Sequence, residues 1–79
     1  MSHIKVYTIT VTFDAFSGRV SRHGTAEEIQ EFADFLIEVQ MIPQEMTELE
    51  VADAHAEAMR DLKTTGRFEG YGIRIHIEE

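Results

Sequence analysis

Four histidines, three serines and fifteen carboxylates are the side chains in this sequence that chemistry would draw on, and there is no cysteine. A zinc site on a helix needs two histidines one turn apart on the same face. His3, His23, His55 and His76 are scattered, and no pair has that spacing. His55 stands between Asp53 and Glu57, but side chains two positions apart on a helix point to nearly opposite sides. A packed histidine with one hydrogen bond is therefore the expectation at His55, and His76 is expected on the outer side of its strand. A serine nucleophile needs a strand–turn–helix elbow. Ser2, Ser17 and Ser21 occupy none. Thus no catalytic residue, metal ligand or cofactor is assigned.

The glycine cluster Gly66-Arg67-Phe68-Glu69-Gly70-Tyr71-Gly72 is the one stretch that resembles a binding loop. A phosphate cradle follows a strand and opens a helix; this stretch follows a helix and opens a strand. An RNA-reading strand needs a basic residue before its first glycine and aromatics that stack on bases. Here Glu69 takes the basic position, and Ile73 and Ile75 take the aromatic ones. A pliable entry to a strand is what remains.

The carboxylates form the strongest pattern. Glu27, Glu31, Asp34 and Glu38 recur at three- and four-residue steps, and so do Glu50, Asp53 and Glu57, flanked by Glu48 and Asp61. Like charges at that spacing on a helix each cost a few tenths of a kcal/mol. Between Thr25 and Met59 there are ten acids and no lysine or arginine, so nothing nearby relieves them. Phosphate contacts need cationic side chains, so nucleic acid is excluded as a ligand of this region. Solvation alone is one use for such rows. A negative face that steers a basic partner is the other. Side chains one turn apart repeat every ~5.4 Å, near the spacing of backbone phosphates, so the rows suit imitation of a nucleic-acid strand.

The elements that must position these rows can be read from periodicity. His3–Phe13 alternates Tyr7, Ile9, Val11 and Phe13 with a threonine row, the period of a strand. Ile4 and Val6 share the threonine side, which suggests cover at the start of that face. Asp14–Gly18 carries turn chemistry, and Arg19–His23 reads as a polar edge strand closing a hairpin. Thr25 and Glu28 form a capping box that opens a helix. Ile29, Phe32, Ala33, Leu36 and Val39 fall on one side of it, and Phe35, Ile37 and Ile42 widen the apolar arc to roughly 200°. Pro43 stops this helix near Met41. Thr47 and Glu50 cap a second helix running to about Lys63, with Met46 stapled to Val51 and Gly66 as its stop. Its inner side is expected to carry Leu49, Ala52, His55, Ala56, Met59 and Leu62, too thin a stripe for a central position. Phe68–Glu79 alternates Tyr71, Ile73, Ile75 and Ile77 with polar residues, a final strand.

The expectation is one α+β domain over residues 1–79, β-β-α-α-β. It has a small antiparallel or mixed three-stranded sheet covered on one face by an αα-hairpin, with the last strand able to lie parallel to the first. The chain has 79 residues, 43% of them hydrophobic, and a net charge of −8. Ordering so short a chain costs on the order of 120 kcal/mol, which one small core barely offsets. Without disulfides, self-association is the remaining common aid, so a homodimer is expected. No apolar run approaches the ~20 residues of a membrane span, and a soluble, cytoplasmic protein is expected. The function these features point to is a non-catalytic, acidic protein–protein interaction module that blocks a basic nucleic-acid-binding surface. Its concrete form is a phage or mobile-element inhibitor of anti-CRISPR or nucleic-acid-mimic type, by analogy of size and charge. The competing expectation is a small homo-oligomeric enzyme or ligand-binding protein with its site at the subunit interface; a regulatory dimerisation domain is the third.

Overall fold

The computed structural model describes residues 4–79, so His3 lies outside the described residues. The fold is α+β, with the element order β1 (Tyr7–Phe13), β2 (Arg19–Gly24), α1 (Ala26–Met41), a 3₁₀ turn (Ile42–Gln44), α2 (Glu48–Thr65), β3 (Arg67–Gly70) and β4 (Ile73–Glu78). The sheet has four strands in the order β2-β1-β4-β3, every neighbouring pair antiparallel.

Both departures from the expected three strands arise at Tyr71-Gly72. Gly70 pairs with Ile73, and the two residues between them have φ of 52° and 81°. Positive φ at both central positions defines the type I′ hairpin turn, whose twist matches that of its strands. The stretch Phe68–Glu79 therefore folds back on itself as a hairpin. That reversal also sends β4 antiparallel to β1 rather than parallel. Asp14 N–H donates to the Gly72 carbonyl at 2.8 Å, joining the two hairpin turns at one end of the sheet. Ile4 and Val6 precede β1 and are exposed, not covered.

Both capping boxes are formed. Thr25 and Thr47 each accept from the third helical amide, and Glu28 and Glu50 each reach back to the cap residue's own N–H at 2.9 Å. In α1 the buried residues are Ile29, Ala33, Ile37 and Met41, a four-residue repeat that lies against Ile9 and Val11 of β1 and Ile73 and Ile75 of β4. Phe32 and Leu36 are half-buried. Phe35, Val39 and Ile42 are exposed, because α2 covers one flank of α1 and nothing covers the other. In α2 the inner side is turned relative to the expected one. Val51, Ala54, His55, Ala58, Met59 and Leu62 face inward, while Leu49, Ala52 and Ala56 are exposed. Met46 and Val51 both pack on the core cluster, and this orients the helix from its first turn. Only Ala58 and Leu62 of α2 are fully buried, so α2 is the outer of the two helices.

Gly66 ends α2 in the left-handed conformation at φ 73° and donates its N–H to the Leu62 carbonyl. A Cβ there would lie 2.8 Å from the Ile77 carbonyl oxygen, whereas a Cβ at Gly72 would meet nothing. Both sites penalise a side chain through φ by about 1–2 kcal/mol. Gly66→Ala adds a backbone clash, so urea unfolding should show it to be clearly more destabilising than Gly72→Ala; equal losses would contradict this placement of α2 against β4.

Candidate functional site

The helical layer from Thr25 to Thr65 holds eleven acids against Arg60 and Lys63, a net of −9. The remaining residues carry five bases and four acids, a net of +1, and together these make the −8 of the chain. The whole negative charge therefore belongs to the layer on one side of the sheet. Burying the apolar side of each helix leaves its acids no direction but outward.

Glu27, Glu31 and Asp34 line one side of the groove between α1 and α2, facing Met59 and Lys63. Glu38 continues the row at the far end of that groove, beside Glu48, Val51 and His55. Glu57 is on the opposite side of α2 and, with Asp61, lines the flank facing Phe68 and Tyr71. By the 100° step of the helix, Glu50 and Asp53 share that side. The two rows are thus not neighbours. The crest of α2, bearing the exposed Ala56, Arg60 and Lys63, stands between them.

Among the described residues the ion pairs are Lys5–Glu79, Arg74–Glu69 and His55–Asp34. None of the seven row carboxylates pairs with an arginine or lysine. Asp34 is engaged all the same. Its Oδ1 lies 2.9 Å from His55 Nε2, a half-buried hydrogen bond that ties α1 to α2. Nothing in sequence spacing signals this contact, since its partners sit on different helices. An imidazole held by a carboxylate is also the orienting half of a nucleophilic triad. No serine, threonine or cysteine lines the hollows on either side of this pair. Among the described residues no three histidines or acids gather as a metal site.

The sheet face turned away from the helices has the opposite character. Cross-strand register places Arg19, Thr12, Arg74 and Glu69 in one row, and Ser21, Thr10, His76 and Arg67 in the next. Arg19, Arg67, Arg74 and His76 border a shallow concavity of about 820 Å³ floored in part by Thr10 and Thr12. These cations come from three strands, and only the four-stranded order unites them.

With this geometry in hand, no protein-family model, curated protein or solved structure matches the chain. No helix among the described residues is long and apolar enough to cross a membrane.

The capping carboxylates have a measurable consequence. The Thr25 backbone N–H, and then its hydroxyl, hold the Glu28 carboxyl below its ordinary value of 4.5, and Thr47 does the same for Glu50. A depressed folded-state value means that the stabilisation is complete above about pH 4.5 and disappears as pH falls through the lowered value. The double variant Glu28→Gln/Glu50→Gln still accepts the hydrogen bonds but cannot titrate. Its urea midpoint should lie below that of the parent above pH 5 and converge with it near pH 3; parallel curves would contradict the role of the charged caps.

Proposed function

We propose that this chain is a non-catalytic interaction module whose acidic helical layer docks on a basic surface of another protein. In its concrete form it is an inhibitor of anti-CRISPR or nucleic-acid-mimic type, working in the cytoplasm and occupying a groove its partner uses for nucleic acid. The observation that carries this reading is the placement of charge. A net of −9 lies on one layer, and six of the seven row carboxylates have no ion-pair partner among the described residues. Such a layer produces a field that speeds encounter with a cationic groove and repels nucleic acid itself. Along α1 the charges of Glu27, Glu31, Asp34 and Glu38 rise at about one turn, ~5.4 Å apart, comparable to successive phosphates along a strand.

A second reading has its own support in the open sheet face. Arg19, Arg67 and His76 around one concavity suit a small anionic ligand, with Asp61 and Glu69 on the same rim and Glu69 3.8 Å from Arg74, and the chain is then a ligand-binding protein. The two readings use opposite faces, so substitutions separate them.

Affinity capture from a cell lysate at low and high ionic strength tests the first reading. The variant Glu27→Lys/Glu31→Lys/Glu38→Lys leaves Asp34 and its bond to His55 in place. Basic proteins should be retained by the parent, released at molar salt where screening shortens to about 3 Å, and not retained by the variant. Undiminished capture by a folded triple variant would refute the acidic-layer reading, and Arg67→Ala/Arg74→Ala should leave capture unchanged.

A further inference from the structure

The two edges of the sheet are not equivalent. At the β3 edge only four residues are paired, and the first outward amide, that of Arg67, already donates to the Thr65 hydroxyl at 3.2 Å. Among the described residues nothing pairs with the β2 edge. Phe13 N–H donates to the Gly18 carbonyl, and that register puts the backbone groups of Val20, Arg22 and Gly24 toward β1. Arg19, Ser21 and His23 therefore turn their N–H and C=O groups outward. Among the described residues no proline, bulge or covering segment lies on this edge, and its protection is limited to the charged side chains of Arg19 and Arg22.

Above the same edge lies the uncovered flank of α1. Phe35 is 62% exposed and Val39 37%, and Val20 of β2 is 43% exposed beneath them. Apolar side chains and unpaired strand backbone thus coincide on one side of the molecule.

We infer that this side pairs with a second copy of the chain, β2 against β2 of the partner in antiparallel register about a two-fold axis at Ser21. The axis places Ser21 opposite Ser21 of the partner subunit and Arg19 opposite His23 of the partner subunit, so that all three outward residues of each strand are paired. The resulting sheet has eight strands.

The helix layer fits the same operation. α1 lies against β2, β1 and β4 and α2 against β3, so α1 is centred near β1, three strand spacings or ~14 Å from its symmetry mate. Continuing the sheet across β2 thus sets the two α1 helices farther apart than the ~8–10 Å of direct helix packing, with room for large side chains between them. Arg22 lies over the Phe32 ring at 5.0 Å, so Ser21 is level with the middle of α1 and the axis passes near Phe32 and Phe35. The exposed Phe35 and Val39 are then the side chains between the helices. The flank, ~24 Å of helix by ~20 Å of two layers, is about 500 Å² in projection, below the ~800 Å² per partner of a standard interface and in the range of concentration-dependent association. The acidic rows stay outside the contact, since Glu27, Glu31, Asp34 and Glu38 lie on the α2 side of α1. The inference is independent of what the acidic layer binds.

A disulfide trap reads out both the partner and the register. Residues paired across antiparallel strands by hydrogen bonds have Cα atoms ~5.5 Å apart, within reach of a disulfide. The chain has no cysteine of its own. Ser21→Cys treated with oxidised glutathione, which takes up the two electrons and two protons of the thiols, should yield a cross-linked dimer. Arg19→Cys should not, because its symmetry mate lies four residues away along the paired strands. Sedimentation velocity of the unmodified protein should give twice the chain mass, and Phe35→Glu should give a folded monomer. A monomer at every concentration, or equal cross-linking of both cysteine variants, would overturn the proposal, as would a dimer untouched by Phe35→Glu.

Discussion

Four side chains one turn apart on α1, Ile29, Ala33, Ile37 and Met41, hold this fold together. They lie on the isoleucines and valine of β1 and β4, the two central strands, and Ala58 and Leu62 of α2 are buried in the same core. A helix seated in this way has one flank against its neighbour and one flank free. Every other feature of the surface follows from which residues fall on which side of that seam.

The acids of the helices fall on the far side, and Arg19, Arg67 and Arg74 on the open face of the sheet. Burial of the apolar stripes drives Glu27, Glu31 and Glu38 into water, while the alternation of β1 and β4 sends Arg74 and His76 to the opposite surface of the sheet. The molecule is therefore polarised across its thickness. The segregation is a by-product of patterning: the helical layer presents carboxylates, and the open face of the sheet presents arginines and a histidine. Asp34 is withdrawn from the α1 row by its bond to His55, which ties the two helices together.

Much of this was legible in the residues themselves. Thr25–Glu28 and Thr47–Glu50 announce their helices because a capping box is a local interaction between side chains three apart. Pro43 and Gly66 mark their ends for equally local reasons. The fourth strand was hidden because Tyr71 occupies a turn position where asparagine or aspartate is the usual signal. Its ring stacks on Phe68 at 6.3 Å, and that contact favours a conformation its backbone resists. The inner side of α2 was misjudged because alanines flank it all round, so periodicity alone cannot choose among them; Leu49 drew the stripe outward although Val51 anchors it. Of the candidate site, the rows of carboxylates were visible as spacing. Their division by the crest of α2, and the gathering of Arg19, Arg67 and Arg74, depend on tertiary placement and had no sequence signal.

Hydrogen–deuterium exchange on the captured complex is the most direct measure of which surface works. Slowed exchange is expected in peptides covering the outward sides of α1 and α2, between Thr25 and Thr65, with the β4 peptide through Arg74 and His76 unchanged. Protection confined to the strands, with the helical peptides exchanging as in the free protein, would contradict the acidic-layer reading.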